Sequence, residues 1–189
     1  MNQLLHGFFI STSRPYRCRR FLLGVIAVFL AITSQSSLGG AANSRTEVAF
    51  IDSALTGHES LVNAVTARAE VYVVESGING MALMADILSG RSDIAAVHVL
   101  GHGAAGAATL GTTTLSAQTI TENTGALAVI GNALSEQGDI LLYGCNVAAG
   151  DTGTALVDEL AKLTRADVAA STDPTGAQSL GGDWELEYA

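Results

Sequence analysis

Strand-like and helix-like segments alternate along the chain with short connections, and no other feature restricts its fold as much. Glu47–Asp52 predicts a first strand. Residues 58–69 predict a helix with Leu61, Val62 and Val65 on one face. The β-branched run Val71–Glu75 is a second strand. Residues 79–89 form a second helical pattern, with Asn79 as its cap and Gly90 as its stop. Ile94–Leu100 is a third strand, apolar enough throughout to be covered on both faces. Residues 107–116, Thr-rich on either side of Gly111, then predict a small β-hairpin. A helix over 125–136, a strand over 139–143, a helix over 152–164, a strand over 167–171 and a short final strand over 184–188 complete the pattern. Alternating βαβ units require a parallel sheet, helices on both faces and right-handed crossovers. The expected fold is therefore a three-layer α/β/α domain. Its mostly parallel sheet has about six strands, with a small hairpin after the third.

The first forty or so residues read as a leader instead. Arg14, Arg17, Arg19 and Arg20 precede the apolar run Phe21–Ile32, and a small-residue stretch follows to Gly40-Ala41-Ala42. A basic start, a twelve-residue apolar centre and a small-residue cleavage site describe a signal peptide over residues 1–42. Twelve residues are short against the ~20 that a membrane span needs. Arg19-Arg20 before Leu22 and Leu23 also fits a minimal twin-arginine signal. Cleavage leaves residues 43–189, a length suited to one domain with a real core. That segment holds all eighteen acidic residues against Arg45, Arg68, Arg91, Lys162 and Arg165, a net charge of −13. Nucleic acid and anionic lipid both demand a basic surface, so neither is an expected partner. Membrane contact is expected only through the leader before cleavage. The expected location is exported: periplasmic, extracellular or at the cell surface.

Of the two cysteines, Cys18 leaves with the leader and Cys145 remains alone, which excludes an internal disulfide. A lone thiol is then a buried small hydrophobe, an intermolecular partner or a reactive group. Cys145 sits where the strand 139–143 runs out into Gly144. Forty-three residues upstream, the third strand ends the same way, in Gly101-His102-Gly103. Adjacent strand ends of a parallel sheet are where open α/β folds place their sites. A free cysteine of pKa about 8.5 is only ~3% thiolate at pH 7, and a neighbouring imidazolium can lower that pKa. Gly103 would let a substrate approach the backbone, with its N–H free to hold a developing oxyanion. Gly144 would free the strand end to turn. Glycines also simply end strands, and a cysteine can simply pack beneath a helix, so the chemistry alone leaves both readings open.

Two other motifs fail on context. Gly101-His102-Gly103-Ala104-Ala105-Gly106 matches the dinucleotide-binding pattern, but a strand-like stretch follows it where that motif needs a helix. His98 and His102, four apart on an extended run, lie roughly 13 Å apart at about 3.3 Å per residue. No further Cys/His cluster accompanies them, so His98 is expected in the core. Neither a metal nor a cofactor is expected.

The order of apolar strand, His-Gly, hairpin and helix, apolar strand and Gly-Cys resembles the caspase-like (clan CD) cysteine peptidases. Their separation of catalytic residues, about 50, is close to the 43 here. The sequence departs from caspases in having Gly-Cys in place of Ala-Cys and in lacking an evident caspase specificity pocket. Phe50-Ile51-Asp52-Ser53, Gly101-His102-Gly103, Leu141 to Ala148, Ala166 to Ser171 and Leu180 to Glu187 also resemble the bacterial domain-of-unknown-function 4347 family, from Glu47 to the C-terminus. Members of that family typically lie in large secreted or surface adhesin-like proteins. Together the resemblances imply a caspase-like fold and an exported cysteine peptidase. Cys145 would be its nucleophile, His102 its base, and Gly103 and Gly144 would shape the backbone around them. The substrate would be a protein or peptide, such as a surface protein. The alternative they leave is a non-catalytic structural or interaction module of an adhesin or biofilm protein. Three further polar residues are candidates for orienting the dyad or touching substrate: Asp52, at the end of the first strand, Asn146, beside the thiol, and Asp173, after the fifth strand. Each has a plainer role open to it, in a turn or a cap.

Overall fold

The computed structural model describes residues 46–189. The leader assigned to residues 1–42 lies outside them. Five parallel strands form the central sheet: β1 (Glu47–Asp52), β2 (Glu70–Val74), β3 (Ile94–Leu100), β7 (Leu134–Tyr143) and β8 (Asp167–Ala170), in the order β2-β1-β3-β7-β8. Between β3 and β7 the chain builds a second, antiparallel sheet from β4 (His102–Ala104), β5 (Ala107–Leu110) and β6 (Thr113–Ser116). The four α-helices are α1 (His58–Val65), α2 (Gly80–Leu88), α3 (Thr124–Ala133) and α4 (Gly150–Thr164).

The burial pattern explains why the strands are so apolar. Along β1, Val48 and Phe50 point into one core while Ala49 and Ile51 point into the other, and all four are fully buried. β7 divides the same way, with Ile140 and Leu142 on one side and Leu141 and Tyr143 on the other. Apolar stripes of α2 (Met81, Met84, Leu88), α3 (Leu127, Ile130, Ala133) and α4 (Leu156, Val157, Leu160) cover the first face. Leu110 and Leu115 of the small sheet join them. α1 and the C-terminal segment, through Leu61, Val62, Val65, Trp184 and Leu186, cover the second. Each large side chain buried this way contributes about 1.5–3 kcal/mol, which is what holds the three layers together. Asn79 caps α2 as expected, its side chain accepting the Ala82 N–H at 2.9 Å.

The three-layer α/β/α architecture is as expected, with local differences. The main sheet has five strands rather than about six. Residues 184–188 are extended, but they touch the sheet only through one antiparallel bridge, Ala170 to Tyr188. The hairpin becomes a three-stranded meander because His102–Ala104 pairs with β5. α3 ends at Ala133, and β7 begins at once, five residues before the apolar run. The extra residues are taken up by an irregularity, since Ile94 pairs with Leu134 but Ala96 pairs with Asp139. Among the described residues, no helix is long and apolar enough to cross a membrane.

Candidate functional site at the C-terminal edge of the sheet

The chain winds from β1 to β2 in one direction, then crosses back to β3 and continues through β7 to β8. The order reverses beside β1 and β3, and ligands of open α/β sheets bind outside the strand ends at such a point. Asp52 ends β1, His102 follows β3 and Cys145 follows β7, so three of the expected residues share this edge.

β4 and the turn after β7 meet backbone to backbone. A Cβ added to Gly103 would lie 2.6 Å from the Cys145 carbonyl oxygen, 2.7 Å from the Gly144 carbonyl carbon and 2.7 Å from Val147 Cγ2. From the other side, a Cβ on Gly144 would come within 3.3 Å of Gly103 Cα. Gly103 has no room for a side chain and Gly144 has little, so the glycines let the two segments touch. His102 and Cys145 are the immediate neighbours of that contact. His102 is exposed and Cys145 half-buried.

Cys145 and Asn146 form a turn closed by the Val147 N–H donating to the Gly144 carbonyl at 3.4 Å. Asn146 takes a left-handed conformation, φ 61°, which asparagine tolerates better than most residues. Its N–H donates to the Asp173 carbonyl at 2.8 Å, and the next turn residue but one, Ala148, donates to the Ser171 carbonyl at 2.9 Å. Asn146 thus shapes the backbone at the thiol. It does not cap α4, whose N-cap is Ala149. The thiol does not bond to His102. It donates to the Thr175 carbonyl at 3.7 Å.

Asp52 is engaged elsewhere. It is almost fully buried; one carboxylate oxygen accepts the Ala54 N–H and the other the Gly111 N–H, each at 2.8 Å. It closes its own turn and clamps the β5–β6 turn to the end of β1, and neither oxygen bonds to His102. Asp173 lies in the segment that follows β8. Its carboxylate, with those of Asp183 and Glu187, forms a cluster whose oxygens lie within 4.8 Å of one another. Thr175, Asp183 and Glu187 were not singled out in the sequence. No local pattern marks them, because a fold-back of the C-terminal segment brings them together.

His98 is a core residue, as expected. It is 2% exposed, stacks on Tyr143 with centroids 6.0 Å apart, and holds Nε2 3.4 Å from Glu47 Oε2. The His98 ring keeps the Glu47 carboxyl below the usual carboxylate range, outweighing the partial burial that pushes it up. Burial, reinforced by Glu47, pushes the Tyr143 phenol up to about 12. Trp184 packs against Tyr143, with centroids 6.3 Å apart, in a structural role.

The fold and edge define a three-layer α/β/α domain with a Gly-supported thiol and imidazole on neighbouring strand ends. The chain belongs to the family described as a domain of unknown function (DUF4347), whose model matches residues 48–189. No curated protein and no solved structure matches it.

Proposed function

We propose that this domain is an exported, caspase-like cysteine peptidase using His102 and Cys145. The observation that carries the proposal is the glycine contact between β4 and the β7 turn, which puts the two residues on touching segments at the C-terminal edge of the sheet. In the proposed reaction His102 accepts the thiol proton and the Cys145 sulfur attacks the carbonyl carbon of a peptide bond. The Gly103 N–H stabilises the negative charge that develops on the carbonyl oxygen. His102 then protonates the departing amine, leaving a thioester that water hydrolyses, with the imidazole as base. Positioned acid–base groups of this kind contribute about 10²–10⁴-fold, and a single oxyanion donor about 10²–10³-fold. The thiol must first swing from the Thr175 carbonyl toward His102.

Export follows from the basic-apolar leader of residues 1–42, and the acidic balance of the rest suits a protein or peptide substrate outside the cell. The test is alkylation of Cys145 by iodoacetamide in the full chain and in His102→Ala. Fast labelling that drops about tenfold in the folded variant is expected for a thiol assisted by an imidazole. Slow labelling indifferent to His102→Ala would refute the dyad and leave the non-catalytic adhesin module as the better account.

A further inference from the structure

The segment that follows β8 folds back over the thiol, and nothing in the proposed reaction uses it. Its first arm, residues 171–176, is held to the β7 turn through its own backbone carbonyls. The Ser171 carbonyl accepts from Ala148, the Asp173 carbonyl accepts from Asn146, and the Thr175 carbonyl accepts from the Cys145 thiol. The returning arm holds the first in place. Gly176 N–H donates to the Asp183 carbonyl at 2.7 Å, Asp183 N–H donates to the Pro174 carbonyl at 3.2 Å, and Glu187 accepts the Thr172 N–H at 2.6 Å. Beyond that the C-terminus is anchored, by Trp184 and Leu186 against the second core and by the paired backbone of Tyr188 and Ala170.

The tip is different. Residues 177–183 have no buried side chain, and Leu180 is 88% exposed. Closure also gathers the Asp173, Asp183 and Glu187 carboxylates, and like charges at this range oppose it. The segment is fixed at both ends, carries no buried side chain across its tip, and is loaded by repulsion.

We infer that residues 171–183 are a strap that occupies the substrate position at Cys145, with the Thr175 carbonyl standing where a substrate carbonyl must come. The inference rests on the peptidase reading for its consequence, namely that an extended peptide enters only by displacing the strap. Its geometry does not depend on that reading. In the closed form the thiol is tied to Thr175 and not to His102. Opening frees the thiol and uncovers the β7 turn.

Gly176 gives the means of testing it. Its φ of 144° is one that residues with a Cβ rarely adopt, yet nothing lies within 4 Å of where a Cβ would be. Gly176→Ala therefore strains the closed strap through its backbone while touching no neighbour. Iodoacetamide labelling of Cys145 in the full chain should accelerate roughly five- to a hundredfold, in proportion to the open population. The same acceleration is expected in the His102→Ala background. Acceleration there, with His102→Ala itself without effect, keeps the strap and removes the dyad. No acceleration, with His102→Ala slowing the label, does the reverse. Should Gly176→Ala fail to fold, hydrogen exchange on the wild-type chain decides. The Asn146 amide, held by the same strap, should exchange with the opening that governs labelling. An Asn146 amide protected like those of β7, beside a thiol that labels freely, overturns the strap.

Discussion

Replacing Gly103 by alanine perturbs the one contact on which the site depends. The new methyl would lie 2.6–2.7 Å from three atoms, two of them backbone atoms of Gly144 and Cys145. A backbone neighbour cannot turn aside as a flexible side chain can. Relief to an ordinary separation of about 3.5 Å requires β4 and the β7 turn to part by roughly 0.8 Å. Overpacking of this kind costs about 1–3 kcal/mol. At about 2–4 °C per kcal/mol for a chain of this size, the expected loss in melting temperature is about 2–12 °C. The displacement falls between His102 and Cys145, and misplacement of reacting groups by ~1 Å costs on the order of 10²-fold in rate. Gly125→Ala is the control: it lies within α3, its Cβ would meet nothing within 4 Å, and alanine should gain about 0.5–1 kcal/mol there. Thermal melts followed by circular dichroism, with Cys145 labelling on the same samples, measure both effects. A Gly103→Ala protein melting within about 1 °C of wild type would refute the contact, because no packed backbone absorbs such a methyl without cost.

Other substitutions test the supports around the site. Asp52→Ala strands the N–H groups of Ala54 and Gly111, so urea unfolding should show a loss of about 3 kcal/mol, with Asp52→Asn losing less. The Glu47 carboxyl, lowered by His98, contributes stability above its unfolded value of 4.5 and loses it as pH falls through its lower folded value. Glu47→Gln should therefore destabilise at pH 7, with the difference fading in acid unfolding curves below pH 4.5. Asp139 has the opposite sign: burial and then Asp167 raise its carboxyl, so folding is penalised once it ionises. Asp139→Asn should stabilise at pH 7, and the gain should vanish below the ordinary value of 3.8. A cavity of about 40 Å³ lined by Met84, Ala108, Leu115 and Ile130 lies between the small sheet and the helices. Ala108→Val should fill part of it and raise stability by about 0.5–1 kcal/mol in the same melts.

Periodicity made the layers legible, because strands covered on both faces must be apolar throughout and helices covered on one face need a stripe. It failed where tertiary pairing decides. Ser135, Glu136 and Gln137 continue a helical pattern, yet they lie in β7. Gly138 explains part of this, since a Cβ there would lie 2.8 Å from the Ile94 carbonyl, so the strand approaches β3 at that residue. Trp184, Leu186 and Tyr188 alternate as a strand should, and all three are half-buried, but one bridge is all the ladder they form. At the site, the sequence could present His102 and Cys145 as strand-end residues because their strands are apolar and glycine follows each. It could not reveal that Asp52 reaches a residue fifty-nine positions away, or that Thr175 covers the thiol thirty positions on. Those partners are fixed by how the small sheet and the C-terminal segment fold back, and neither leaves a local pattern.

The order β2-β1-β3-β7-β8 also bears on how the molecule assembles. β3 and β7 are neighbours, but the chain between them makes three further strands and α3 before it returns. Parallel neighbours cannot zip together from a tight turn, so this pairing must bear the entropy of a long loop before any ladder bond repays it. The thiol and the imidazole therefore come together only after that loop has closed, and the strap cannot settle until β8 has added itself to the edge. Formation of the site should lag behind formation of the α-helices during refolding. The edge that carries His102 and Cys145 and the segment that reaches the thiol are both late products of one topology.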